Sequence, residues 1–241
     1  MDLLSYLLGK SKGSGGGITP TGTINITENG TYDVTNYASA EVEITPPVVP
    51  TLPSSYTAVN YLQSSGNQYI DTGYKPNANT KIEFNYLQSV AGAVVMGART
   101  TSGTDRFTLA TYEGNCTFFY GDVEPDNTYI RSNIANNNFI NISIEKNKII
   151  FNGTEYTNFL IENFPDYSIY LFGSNTGGSA TAMSKANIGR FKISENSVLL
   201  HDYIPCMRNS DSVLGMYDLI DEEFLTNSGT GSFTADPLYN Y

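Results

Sequence analysis

Tryptophan is absent from this 241-residue chain, histidine occurs once and cysteine twice. Each shortage excludes something. A single histidine, His201, leaves little room for nucleophilic catalysis, which needs a base held between a nucleophile and an orienting acid. Cys116 and Cys206 are far apart in sequence and fit no metal-ligand spacing, so two buried free thiols are expected. Lysine and arginine together number 13 against 24 acids, a net charge of −11. With no basic cluster, the chain is a poor partner for nucleic acid or an anionic lipid surface. No stretch reaches the roughly 20 apolar residues of a membrane-spanning helix. The start, "MDLLSYLLGK", has an acid in second place and no basic n-region, so no secretory leader is expected. Without that route, the five N-x-S/T sequons at Asn25, Asn29, Asn115, Asn141 and Asn152 reflect only richness in Asn and Thr. HExxH and P-loop motifs are both missing.

What is present is turn and strand material. Eighteen tyrosines, twelve phenylalanines and 22 glycines suit many short strands joined by tight turns. From Ser54 onward the text reads as β almost throughout: "QYIDTGY", "TKIEFNYLQ", "GAVVMGAR", "RFTLATY", "CTFFYGD", "FINISIEKN", "KIIFNGTEY", "SIYLFGSN", "KANIGRFKIS" and "SVLLHDYIP". Gly, Asn, Asp and Ser separate these runs at short intervals, the pattern of an antiparallel sandwich or jelly roll. "EKNKIIFNG" reads as a hairpin turning at Lys146-Asn147, and "GMYDLIDEEFLTNSG" as another with its acidic turn at Asp221 to Glu223.

The first fifty residues are organised differently. Within residues 1–10, Leu3, Leu4, Leu7 and Leu8 form one stripe if the segment is helical. A helix that short is marginal alone, so the stripe is read as a docking peptide. Residues 11–21 are a Gly-rich tether. Residues 22–45, "GTINITENGTYDVTNYASAEVEIT", alternate as three strands around a Glu28-Asn29-Gly30 turn. Three such strands cannot bury a core alone, which marks them as an oligomerisation module. A stiff Pro-rich linker, 46–53, leads into the 54–241 domain.

The order of "YLQSSGNQYIDTGYKPNANTKIEF", "YLFGSNTGG", "IGRFKIS" and "HDYIPCMRNSDSVLGMYDLIDEEFLTNSGTGSFTADP" resembles the laminin-G-like, concanavalin-type jelly roll of bacteriophage tail and fibre proteins. The small module and the "MDLLSYLLGK" start are similar to segments found in the same setting. The resemblance implies a virion component, made in the bacterial host cytoplasm, that serves attachment, decoration or adhesion. Other virion proteins would be its partners through the N-terminal peptide, a homotrimer its favoured assembly, and surface glycans its ligands. The alternatives are a carbohydrate-binding module of a bacterial surface and, behind it, a glycoside hydrolase on the same fold.

Hydrolysis would need two carboxylates flanking the scissile bond. "AEVEI" and "KIEFNY" are the nearest approximations to the alternating acids such enzymes carry on one strand, and "DLIDEE" is read as a solvated turn. No catalytic residue is therefore assigned, and His201, in the alternating "VLLHDYIP", is expected at a surface or edge. For glycan binding, "GARTTSGTDR", "YGDVEPDNTY" and "FGSNTGGSA" offer loop material, with Arg99, Asp105, Tyr120, Asp122 and Asn175 as the residues to test. No cofactor is expected. Sandwich lectins often use Ca²⁺ held by oxygen ligands, but no ligand spacing here places such a site.

The exposed strand edges of the small module invite pairing between copies. Light scattering is expected to show a self-associated full-length chain, trimer over dimer, and a monomeric 54–241 fragment; a monomeric full-length chain at high concentration would refute assembly through residues 18–50.

Overall fold

A computed structural model describes residues 51–88, 93–112, 115–121, 129–132, 139–157, 159 and 161–237. The expected docking peptide with Leu3, Leu4, Leu7 and Leu8, the expected tether and the expected small β-module lie outside the described residues. All described residues belong to a compact unit that starts at Pro50.

The unit is all-β, and no described residue is helical. One sheet contains β1 (Tyr56–Gln63), β3 (Thr80–Gln88), β8 (Ile140–Glu145), β9 (Lys148–Phe151), β10 (Thr154–Tyr156), β14 (Ala186–Glu195), β15 (Val198–Arg208), β16 (Leu214–Asp218), β17 (Phe224–Thr226) and β18 (Thr234–Pro237). The second contains β2 (Ile70–Asp71), β4 (Val94–Arg99), β5 (Arg106–Tyr112), β6 (Asn115–Tyr120), β7 (Tyr129–Ser132), β11 (Tyr170–Leu171), β12 (Ser174–Thr176) and β13 (Ser179–Thr181). Pairing is antiparallel except between β12 and β4. Both expected hairpins form: Glu145 pairs with Lys148 across Lys146-Asn147, and Tyr217 pairs with Phe224 across the acidic turn.

Alternation decides what goes inside. Ile82, Phe84 and Tyr86 of β3, Ile140, Ile142 and Ile144 of β8, and Phe191 and Ile193 of β14 are buried on one inner face. Met96, Phe107, Leu109 and Phe118 of the smaller sheet share their core cluster. Phe191 tilts against Phe84 at 5.0 Å and Phe107 meets Phe118 edge-on at 5.0 Å. A second, smaller cluster joins Cys206, Tyr217 and Leu219 with Tyr56, Ile204, Phe224 and Leu52 of the entering chain. Met216 belongs to the main core and its neighbour Tyr217 to this cluster, so β16 is apolar on both sides. Both cysteines are buried and free, as their lack of spacing suggested.

The middle strand β14 carries one irregularity. Ile188 pairs with Tyr86 and Phe191 with Phe84, so Gly189 and Arg190 together oppose Asn85. This is a β-bulge. Any Cβ at position 189 would sit 2.0 Å from the Asn85 side-chain oxygen, so a larger residue there would have to displace the Asn85 side chain. Phe191 is fully buried beside the bulge. Phe191→Ala should lower stability by roughly 3–5 kcal/mol, read as a fall in the urea midpoint with an unchanged slope.

Candidate functional site

The alternation that buries one side of β3, β8 and β14 turns the other side outward. There Glu83 and Asn85, Asn141 and Ser143, and Arg190 and Lys192 line a shallow open trough of about 400 Å³. Register aligns them in two rows. Ser143, Glu83 and Lys192 sit side by side across three strands, and Asn141 and Asn85 face the bulge. Ile150 adds an apolar patch to the same wall.

The trough is polar, with one acid and two bases among its lining. Arg190 is held by Asp202 through a bidentate pair, Nε to Oδ1 at 2.6 Å and Nη2 to Oδ2 at 2.5 Å. That fork fixes the guanidinium, a geometry lysine could not reproduce. Glu83 accepts from Lys81 at 3.0 Å. Lys192 has no ion-pair partner among the described residues. The Asn85 side-chain oxygen is buried and has no hydrogen-bond partner there either. Side-chain amides, a hydroxyl and fixed charges of both signs can meet ligand hydroxyls, which donate and accept. Among the residues lining the trough, Glu83 is the one carboxylate.

A second cluster lies where β15 meets the β16–β17 turn. His201 Nδ1 is 2.7 Å from Asp218 Oδ2 and 3.4 Å from Asp221 Oδ2. Asp218 Oδ1 accepts the backbone N–H of Asp202 at 2.9 Å and of Ile220 at 3.0 Å. The imidazole stacks on Tyr203 at 5.4 Å with planes 9° apart, and Tyr74 meets its edge at 5.9 Å. His201 is therefore not the surface or edge residue expected: its side chain is 18% exposed and fixed on three sides. The cause is cross-strand register, which sets Asp218 opposite Tyr203 and so within reach of a residue two positions away. Among the described residues the polar side-chain partners of His201 are Asp218 and Asp221, both acids, so the pair makes no triad.

The pair perturbs itself. The Asp218 hydrogen bond raises the His201 pKa against the opposing effect of burial, with Asp221 and Glu223 adding to the rise. For Asp218, burial favours the neutral acid, but hydrogen bonds from His201 and two backbone N–H groups outweigh it and lower the pKa.

The glycan candidates expected from the loops are scattered in role. Arg99 and Asn175 lie on adjacent strands, Thr176 pairing with Arg99. Arg99 Nε donates to Thr176 at 2.8 Å. Asn175 is buried, its amide donating to the Ser168 carbonyl at 3.0 Å and accepting from Gly178 N–H at 2.9 Å. Both ends of that amide hold a turn together. Asp105 closes the β4–β5 hairpin, its carbonyl accepting from Thr100. Tyr120 is part of the core, packed on Phe118 and Phe159, and burial raises its pKa. It faces inward because it continues the Cys116, Phe118 alternation. Asp122 lies outside the described residues. The trough residues were missed because loops drew the search, although the outward polar positions of "TKIEFNYLQ", "INISIE" and "ANIGRFKISE" are readable as alternation.

No protein-family model matches the chain, and no curated protein matches it. Among solved structures, it is similar to the mouse laminin alpha1 chain, domains LG4-5, at 14% identity and a TM-score of 0.44. The match covers 66% of this chain and 47% of that one, so it spans about half of that structure.

His201 gains a partner on folding, so its raised pKa adds stability that is fully present below the unfolded value near 6.5. That stability is lost as pH rises through the higher folded value. Asp218 works oppositely, contributing above the ordinary carboxylate range and losing its share as pH falls through its lowered value. Thermal melts in EDTA should therefore show a decline from pH 6 to 8.5 that His201→Gln reduces; an equal decline in both proteins would dismiss the pair as its cause.

Proposed function

We propose that the chain is a non-enzymatic bacteriophage virion protein whose sandwich domain holds host-surface or mucosal glycans in the trough on its larger sheet. The observation that carries the glycan reading is the trough itself: six polar side chains from the outer side of three adjacent strands, over a floor shaped by a β-bulge. Such a surface suits neutral, hydroxyl-rich ligands at modest affinity, since every contact must first displace water.

Binding is favoured over hydrolysis because cleavage needs a pair of carboxylates and the lining residues supply one. Glu83 is moreover drawn to Lys81. The virion assignment is supported by the resemblance of the sandwich motifs, the small module and the leucine-rich start to phage fibre proteins. A carbohydrate-binding module on a bacterial surface would use the same trough, and incorporation into particles separates the two.

Two measurements test this reading. On a glycan array the full-length chain should retain a defined set of glycans, and Asn85→Ala with Lys192→Ala should weaken each by about ten-fold or more. An array with no bound glycan would dismiss the trough as a receptor site. In particles, Leu4→Asp with Leu7→Asp should abolish incorporation, because burying each leucine contributes roughly 1.5–3 kcal/mol. Normal incorporation of that variant would sink the docking peptide.

A further inference from the structure

The surroundings of His201 are short of positive charge. Asp218, Asp221 and Glu223 all act on the one imidazole. Among the described residues no lysine or arginine forms an ion pair with any of the three. Other buried or partly buried acids have a basic partner: Asp202 has Arg190 and Glu145 has Lys148. Here three carboxylates share a single titratable partner, and one of them, Asp218, is 2% exposed. The buried charge of Asp218 is costly unless a cation answers it.

The geometry of the donors is also specific. His201 Nδ1, one oxygen of Asp218 and one of Asp221 gather within 4.8 Å of one another, and no other such trio of ligating side chains occurs among the described residues. Asp218 already uses Oδ1 on two backbone N–H groups, which leaves Oδ2 as the oxygen aimed at the cluster. The parallel Tyr203 ring fixes the imidazole plane, so Nδ1 is presented to both acids without a rotamer search. Asp221 is 57% exposed on the β16–β17 turn, where a side-chain rotation closes the remaining gap.

We infer that His201, Asp218 and Asp221 form a three-ligand site for a divalent transition metal of the Zn²⁺ type, cross-tying β15 to the β16–β17 turn. Zinc bonds to imidazole nitrogen and carboxylate oxygen are about 2.0–2.2 Å, so tetrahedral donors on one ion stand roughly 3.3–3.6 Å apart. Asp221 Oδ2 is at that spacing, 3.4 Å from His201 Nδ1, while Asp218 Oδ2, hydrogen-bonded at 2.7 Å, would give up the shared proton and move outward by under an ångström to admit the ion. One nitrogen among the donors selects zinc over Ca²⁺, which takes six to eight oxygens. Glu223 adds its negative charge to the same neighbourhood. The thiols do not compete: burial pushes both Cys116 and Cys206 up to about 12, leaving them protonated. The site is independent of the glycan reading, since none of its three ligands lines the trough.

The chain's single histidine makes the test clean. EDTA-stripped full-length protein is titrated with Zn²⁺ by calorimetry and melted with and without the ion. One saturable zinc per chain and a raised melting temperature are expected, by simple mass action on the folded state. Cu²⁺ should show an electron paramagnetic resonance signal split by one imidazole nitrogen. His201→Ala should abolish that splitting and weaken zinc at least ten-fold. Asp221→Ala, an exposed position whose loss leaves the fold intact, should also weaken zinc about ten-fold or more and decides the matter if His201→Ala does not fold. No saturable binding at millimolar Zn²⁺, unchanged affinity in Asp221→Ala, or Ca²⁺ binding as tightly as Zn²⁺ would each overturn the site.

Discussion

Ile188 and Phe191 are three residues apart on one strand, yet both must face the same core. A regular strand alternates with period two, so an odd separation would send one of them outward. The bulge at Gly189–Arg190 resolves this by setting two residues against Asn85. It can form because position 189 lacks a Cβ and the Asn85 side chain occupies the space a Cβ would take. β14 lies against β3 along its length and also touches β1 and β15, so its register propagates across the larger sheet. The same correction that keeps Phe191 inside sends Arg190 out, over the trough.

Core and surface are thereby coupled through one local event. Arg190 reaches Asp202 on β15, and the backbone N–H of Asp202 is held by Asp218 on β16. Asp218 in turn fixes His201. A chain of charge-assisted hydrogen bonds thus runs from the trough through β15 to the acidic turn, each member oriented by the next. The trough side takes the outward members of β14 and β15. The His201 side takes residues on the Tyr203 face, where stacking and burial replace solvent. Two surfaces of different chemistry share Asp218 as their common support.

The stretch from His201 to Pro237 contains both kinds of feature. Its hairpin, its acidic turn and its buried cysteine follow from alternation and turn composition, both local properties of the chain. His201 did not follow. Alternation says that His201 and Tyr203 share a face, but it cannot say that β16 arrives with Asp218 in register opposite Tyr203. Tyr120 and Asn175 erred in the other direction. Their neighbourhood in Gly- and Asp-rich text suggested loops, whereas one extends the core-facing row of β6 and the other ties a turn internally.

By itself, then, the sequence determined the all-β class, most strand positions, two hairpins and the two buried thiols, because these depend on period, propensity and turn chemistry within a few residues. Only the tertiary structure decided that β3, β8 and β14 lie side by side to make a trough, and that His201 meets Asp218 and Asp221. Those contacts join residues 17 to more than 100 positions apart, and the order of strands that brings them together is set by the packing of two whole sheets around one core.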